Sequence, residues 1–568
     1  MKNTNSWSRI QNTLSNFVYD TCYKEDDLYV HVLCTNPTEL VRIANTLYES
    51  GLVEFSEPDF YAEYSQHYND PLFSQQYYLN NTGQSIISEN GHSSDITSNI
   101  DIQAPEAWNF ISFVSAIDTP KVGIVDDGVE DHEDLKFGNI SKVLYGFPMS
   151  NHGRPQTLMA HGECVAGIVA ATQNNGKGIS GVAPNSWIIP IRNQKISYRN
   201  GYNYPLILYM NNSRIARGIR EAWKDYDVDI LNFSWGSLHE ISNQITDAIQ
   251  TALREGRDGK GCVVVASSGN ERKTDNINHI AKIPGVIGVG GLMGNGRRGE
   301  YSNCSSELSL MAFGGQVVEQ DERGNYCDIR TIDREGNNGY NTGNYCTYFG
   351  MTSAAAPMVS GVASLMLSVN PELTSTQVKN IMENTAKEWE DYNFSTTSAH
   401  PNGSWNAEVG YGLVDAHKAV VHAYEYGYDM KIVGSDELAD CDNREYTCDI
   451  LRPELFTYEW NCSNNLVKVS EDGATAHFMP LAVGVGMVTV NVKQQDEIMF
   501  SLNKEVTISS ISVNISPVAT ADFSVTSDAT WSASTYLPVE VTVESGSTLT
   551  ITGTLHCAPT ARIIVRPG

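Results

Sequence analysis

Short apolar runs alternate with stretches of helical periodicity through the middle of this chain. The runs 122–125, 187–191, 229–234, 262–267 and 286–290 are rich in Val and Ile and nearly free of charge. They predict strands buried on both faces, as in a parallel sheet covered by helices. Between them, three- and four-residue apolar spacing over 162–171, 215–226, 241–255, 353–369 and 375–386 predicts the helices. Ahead of this region, 28–33 reads as a strand, 38–49 as a helix behind Asn36-Pro37, and 53–64 as extended chain. Asn69-Asp70-Pro71 then marks a turn. After 430 the helical period vanishes: strand-like runs at 466–469, 488–492 and 505–515 are separated by Asn, Gly and Ser turns, which predicts a small all-β sandwich. The Ser/Thr-rich stretch 516–568 is again strand-like and stops at a turn, as a chain cut short would. The predicted fold class is α/β, a mainly parallel sheet with helices on both faces, followed by all-β sandwich-like modules.

Composition narrows the function classes. The 568 residues allow about three or four domains. With 38 basic and 67 acidic residues the net charge is −29, which repels phosphate backbones and anionic lipid, so nucleic acid is not an expected partner. The ordinary reading is a solvated surface, and Ca²⁺ or cationic peptides are what such a surface would attract. No apolar run in the sequence approaches the roughly 20 residues that span a bilayer, so no transmembrane segment is expected. The start, 1–7, lacks the apolar core of a signal peptide; the protein is then intracellular, or its N-terminus lies upstream. The 11 cysteines include no Cys-x-x-Cys pair. Cys327 and Cys346 flank a Gly/Asn-rich stretch, and Cys441, Cys448 and Cys462 cluster near a domain joint; both groups predict disulfides in an oxidising compartment. Cys164 and Cys262 lie in apolar surroundings and read as buried thiols.

Three short blocks place chemically capable residues where an apolar element meets a small-residue turn. Val-Gly-Ile-Val-Asp-Asp-Gly at 122–128 ends a predicted strand on Asp126, and the carboxyl ends of parallel strands are where open α/β folds carry their sites. His-Gly-Glu-Cys-Val-Ala-Gly at 161–167 sets His161 before a helix, and Met-Thr-Ser-Ala-Ala-Ala-Pro at 351–357 sets Ser353 at the start of another. A hydroxyl at a helix N-terminus gains from the dipole and from free N–H groups that stabilise a developing oxyanion. Each residue alone has a plainer reading: Asp126 as a turn former, His161 as a structural histidine, Ser353 as an N-cap. Together they supply carboxylate, imidazole and hydroxyl for nucleophilic acyl transfer, in the chain order Asp, His, Ser.

Further blocks make the pattern specific. Gly181-Val182-Ala183-Pro184 follows the histidine block, Leu231-Asn232-Phe233-Ser234-Trp235-Gly236 and Val263-Val264-Val265-Ala266-Ser267-Ser268-Gly269-Asn270 come next, and Gly410-Tyr411-Gly412-Leu413-Val414-Asp415-Ala416 closes the series. In this order and spacing the chain resembles the subtilisin-like serine protease family, including its kexin/furin branch, over about 70–423. The resemblance implies a serine endopeptidase acting on protein or peptide substrates, with Asp126, His161 and Ser353 as its triad. It implies that Asn270 and the backbone N–H of Ser353 form the oxyanion hole, and that Ser234, Trp235 and Gly236 pair with substrate backbone and wall the primary specificity pocket. Asp127 matches the second Asp of the kexin Asp-Asp-Gly, which lines the adjoining subsite. Residues 237–239 are Ser-Leu-His rather than the acidic cluster of kexins, so a dibasic preference is not expected. Asp70, Asp134 and Asn174 (or Asn175) fall where family members hold one structural Ca²⁺ through oxygen ligands. The stretch 53–60, followed by 69–73, resembles the end of a propeptide, which implies a zymogen whose own propeptide inhibits it until self-cleavage near 64–67.

Two residues depart from the family's pattern. Met351 stands where Gly directly precedes Thr-Ser, so the turn must accept a side chain. Glu163 replaces a common Thr, and its charge is expected to raise the pKa of His161. The domain reading is a partial propeptide-like segment at 1–66, a catalytic domain at 67–429, an immunoglobulin-like β module at 430–515 resembled through Tyr458-Glu459-Trp460, and a further β module at 516–568. The protein is expected to be secreted or held at the cell surface. Two other readings stay open: a degenerate scaffold used for binding or adhesion, its oxyanion turn spoiled by Met351, and an intracellular peptidase that processes one precursor.

Overall fold

The computed structural model describes residues 6–15, 17, 21–24, 30–33, 37–50, 52–53, 56, 68–86, 94, 96–144, 160–197, 206–209, 212–317, 319–321, 324–440, 444–480, 484–494 and 497–512, with short strand pairs between 529 and 565. The chain divides into two compact units, Met1–His67 and Tyr68–Gly568. In the first, helices Ser6–Leu14 and Pro37–Glu49 accompany an antiparallel hairpin, Thr21–Lys24 with Val30–Leu33. Ile10 and Leu14, and likewise Ile43 and Leu47, stand four residues apart and form the buried apolar stripes of these helices. Most of the expected extended stretch 53–64, and the expected cleavage region 64–67, lie outside the described residues.

The second unit is built on six parallel strands: β1 Lys121–Asp126, β2 Trp187–Arg192, β3 Ile230–Phe233, β4 Val263–Ser267, β5 Ile287–Leu292 and β6 Leu310–Phe313. Their spatial order is β6-β5-β4-β3-β1-β2. The strands are short and apolar because both faces are covered; every residue of β3, β4, β5 and β6 is buried. Helices α1 Ala104–Val114, α2 His161–Ala170, α3 Asn212–Asp225, α4 Asn243–Glu255, α5 Thr352–Val369, α6 Ser375–Thr385 and α7 Ala416–Glu425 surround the sheet. Two separate apolar clusters, one around α2, α5 and α7 and one around α3 and α4, form the cores. The sequence expectation named five of these strands and five of these helices; it passed over β6, α1 and α7.

Helix α5 corrects the expectation that no stretch is apolar enough to span a bilayer. It has 18 residues and a mean hydropathy of 1.4, yet 94% of it is buried inside the fold, so its apolarity serves the core. An antiparallel hairpin, β7 Ile329–Ile332 with β8 Tyr345–Phe349, leads into it. The disulfide expected between Cys327 and Cys346 is not formed: both are buried free thiols. Register explains this. Cys346 stands opposite Thr331, four residues along the hairpin from Cys327, and at about 3.3 Å per residue that exceeds the roughly 7 Å a disulfide spans. The Cys346 thiol meets that of Cys164 instead. Cys448 and Cys462 are also free, and Cys441 lies outside the described residues.

Beyond α7 come two four-stranded sheets. Strands β9 Lys431–Val433, β10 Glu437–Asp440, β11 Arg444–Asp449, β12 Thr457–Cys462, β13 Leu466–Asp472, β14 Thr475–Pro480, β15 Gly484–Gln494 and β16 Glu497–Ser512 assemble as β9-β11-β14-β13 and β10-β16-β15-β12. Alternate residues of β15, Val488, Val490 and Val492, are buried, as a half-solvated strand requires. Trp460 of one sheet meets Phe478 of the other at 6.1 Å between ring centroids, so the sheets pack face to face. Short parallel pairs follow: Ala529–Trp531 with Leu549–Ile551, Thr535–Leu537 with Leu555–Cys557, and Val541–Val543 with Ile563–Val565.

Candidate active site

Asp126 is the last residue of β1 and is almost fully buried. Both its carboxylate oxygens lie 2.9 Å from Nδ1 of His161, the first residue of α2. A carboxylate only accepts, so Nδ1 carries the proton and the neutral ring keeps its free lone pair on Nε2. The ring stands edge-on to Phe349 at 5.3 Å and is 27% exposed, enough for a substrate to reach it. Burial pushes the His161 pKa down, but the Asp126 and Asp127 charges outweigh it and hold the value at about 9.

Neighbouring carboxylates take roles the sequence did not assign. Asp127 does not face an open subsite: its carboxylate accepts the N–H of Gly162 (2.7 Å) and of His161 (3.0 Å), capping α2 and fixing where its imidazole starts. Burial, then the adjacent Asp126, raises Asp127 to about 7. Glu163 is fully buried and accepts the N–H of Glu130 (2.7 Å). Burial raises its pKa well above the usual carboxylate range, and it is not among the groups that raise His161. The expectation that Glu163 raises the His161 pKa is not met: burial disfavours its charged form, and the charges that act on His161 are those of Asp126 and Asp127.

Ser353 is the second residue of α5, at the dipole's positive end. Its hydroxyl donates to the Ser234 carbonyl (3.1 Å), and the Ser234 hydroxyl donates back to the Ser353 carbonyl (3.0 Å). Among the described residues no hydrogen bond joins Ser353 Oγ to His161; such bonds are often loose before substrate binds. Asn270 follows β4, and its Oδ1 accepts the Thr352 N–H (3.1 Å) and hydroxyl (2.6 Å). A backbone N–H can only donate, so the amide orientation is determined and Nδ2 is left for a ligand oxygen. Thr352 is a functional residue that sequence reasoning missed; nothing in the spacing signals which oxygen it orients. Met351 caps α5 at φ 59°, ψ −164°, a backbone region essentially reserved for Gly.

Ser234, Trp235 and Gly236 leave the end of β3 beside Ser353, with Gly236 exposed. The calcium candidates also come together. Asp70 accepts the N–H of Asn174 (2.8 Å) and Asn175 (3.1 Å), while Asp134 accepts Asn175 Nδ2 (2.7 Å) and the Ile179 N–H (3.0 Å). Asn174 turns its side-chain oxygen to the Asn69 N–H (3.2 Å), so Asn175 rather than Asn174 shares the carboxylate pair. Burial, with the charge of Asp70, raises Asp134 to about 7. Asn175 points its Nδ2 at Asp134 while its Oδ1 accepts the Lys177 N–H (2.8 Å), so the two buried carboxylates, and not the amide, present the oxygens that suit a hard cation. Among the described residues no group of three or more His, Cys, Asp or Glu is placed to hold a metal.

Known proteins resemble this chain in sequence and fold. Residues 118–412 match the subtilase family. The chain is 28% identical over 409 residues to a calcium-dependent protease of Nostoc sp., covering 66% of this chain and 55% of that protein. It is 32% identical over 273 residues to subtilisin DY of Bacillus licheniformis, covering 47% of this chain and 83% of that protein. The solved serine protease of Aeromonas sobria matches in fold with a TM-score of 0.51 at 15% identity, over 78% of this chain and 93% of that one. The chain spans 55% and 58% of the lengths of two calcium-dependent proteases it matches. With a family match that covers the six-stranded sheet, helices α2 and α5 and the segment through Asn270, the chain belongs to the subtilase family.

Proposed function

We propose that this chain is a serine endopeptidase that cleaves peptide bonds through an acyl-enzyme on Ser353. The observation that carries the reading is the buried Asp126 carboxylate bonded through both oxygens to His161 Nδ1, beside a serine at a helix N-terminus. His161 Nε2 takes the Ser353 proton as Oγ bonds to the scissile carbonyl carbon. The oxyanion accepts from Asn270 Nδ2 and the Ser353 N–H. His161 then returns the proton to the leaving amine as the C–N bond breaks, and water releases the acyl group by the same steps in reverse order. Asp126 holds the ring in place and steadies the imidazolium. The test is hydrolysis of casein and quenched peptides: activity is lost in Ser353→Ala and falls about 10⁴-fold in Asp126→Asn. A wild-type protein that stays inactive with calcium supplied and its first unit removed overturns the reading.

The reading extends to processing, metal and location. The compact unit ending at His67 acts as an inhibitory propeptide, supported by the boundary there. Ca²⁺ held by Asp70 and Asp134 would neutralise the buried carboxylates and stiffen the loop at 174–179, a reading supported by relatives named calcium-dependent proteases. The paired sheets at 431–512 serve as an immunoglobulin-like attachment or substrate-binding module of an exported enzyme. A binding scaffold without catalysis is the competing reading, and the Met351 backbone is the observation in its favour.

A further inference from the structure

On the endopeptidase reading, and with the pocket wall that the family resemblance assigns to 234–236, the residue before the scissile bond lies beside two chain segments. One is 234–237, leaving β3; the other is 267–270, leaving β4. These strands are parallel neighbours, in register from Ile230↔Val263 to Phe233↔Ala266, so their outgoing ends bound a slot. Ser234 is tied to Ser353 on one side and Asn270 to Thr352 on the other. Asn278 crosses this slot. Its Nδ2 donates to the Trp235 carbonyl on one wall and the Ser267 carbonyl on the other, each at 3.0 Å. Its Oδ1 accepts the N–H of Ser237 (3.2 Å) and of Ile280 (3.1 Å). Both donors and both lone pairs are matched, so the amide is held in one orientation. The side chain is 2% exposed. A Cβ on Gly236 would stand 1.9–2.1 Å from its amide atoms, which shows how tightly it lies against that wall.

We propose that Asn278 is a specificity-determining residue that closes the slot into a short, uncharged pocket, so that the enzyme cleaves after small neutral residues such as Gly, Ala and Ser. The proposal rests on the endopeptidase reading. A large side chain must displace Asn278 and leave buried polar groups of two walls unmatched. A Lys or Arg meets no opposite charge: the segments 234–237, 267–270 and 276–280 contain no Asp or Glu, and Glu271 just beyond them is bound to Asn303 Nδ2 (2.6 Å). Burying an unpaired cation is strongly disfavoured.

The test uses the full chain, active sites counted by fluorophosphonate labelling, with otherwise identical peptides carrying Ala, Phe or Arg before the cut. Wild type is expected to favour Ala over Phe and Arg in kcat/KM by at least about tenfold. Asn278→Gly is expected to narrow or reverse the Ala-to-Phe ratio. Equal or faster cleavage after Phe or Arg by wild type overturns the proposal, as does an unchanged ratio in a folded Asn278→Gly. If that variant does not fold, the wild-type ratios decide. Absence of labelling in wild type overturns the endopeptidase reading, and the proposal with it.

Discussion

Replacing Met351 by Gly and, separately, by Ala isolates the cost of the backbone that precedes the nucleophile. Met351 holds φ 59°, ψ −164° because its neighbours leave no alternative: its N–H donates to the Gly314 carbonyl (2.6 Å), and its carbonyl accepts the N–H of Ala354 (3.0 Å). A Cβ on Gly314 would already stand 2.7 Å from the Met351 oxygen. A residue with a Cβ in this region costs about 1–3 kcal/mol. Both variants lose the methionine side chain beyond Cβ, so their difference reports the backbone. Glycine gives back about 0.5–1 kcal/mol through its freer unfolded chain. Met351→Gly is therefore expected to be more stable than Met351→Ala, by up to about 2.5 kcal/mol. The assay is urea unfolding followed by tryptophan fluorescence at fixed calcium, in a Ser353→Ala background that prevents self-digestion. A Met351→Ala protein as stable as Met351→Gly, or more so, refutes the reasoning. In the active background, the scaffold reading requires that wild type be inert and that Met351→Gly alone cleave peptides; the endopeptidase reading requires that wild type cleave them too.

Other predictions follow from the charges around His161 and Asp70. Because His161 must be neutral to act as a base and Asp126 and Asp127 hold it at about 9, log kcat/KM should rise with pH up to about pH 9. Asp127→Asn should move that limb to lower pH, and an acid limb at or below an unperturbed histidine contradicts the assignment. Glu163 binds its proton more tightly when folded than unfolded, so its contribution to stability is present below about pH 4.3 and is lost as pH rises towards its folded value. Glu163→Gln should match wild type at low pH and become the more stable protein as pH rises; parallel stability curves would refute an upward shift of Glu163. Millimolar calcium should raise the urea midpoint of wild type and not of a doubly substituted Asp70→Asn, Asp134→Asn protein. At a hundred times the dissociation constant the gain is about 2.7 kcal/mol, and an equal shift in both proteins would place any calcium elsewhere.

The parallel sheet was legible because strands such as β4 are continuous apolar runs, and the candidate site because Asp126, His161 and Ser353 each sit where an apolar element meets a small-residue turn. β6 escaped notice since four residues, Leu310–Phe313, carry no period. Helix α1 begins from a left-handed Gln103 rather than a recognisable cap. The roles of Asp127 and Asn278 were invisible for another reason. Asp127 meets residues 34 and 35 positions away, and Asn278 bridges segments 11 and 43 positions away; only the folded chain joins them. Glu163 misled because a sequence presents a charge, while burial decides whether the group keeps it. Cys327 and Cys346 misled because spacing suggests proximity, and hairpin register overrules it.

The central claim is that Ser353 is an activated nucleophile served by His161 and Asp126. Fluorophosphonate labelling followed by peptide mapping tests it most directly, on full-length chain with calcium supplied and on the same protein after removal of its first unit. The account predicts one adduct, on Ser353, absent from Ser353→Ala and formed far more slowly in His161→Ala. An adduct on another residue, or none in either form of the wild-type protein, contradicts it.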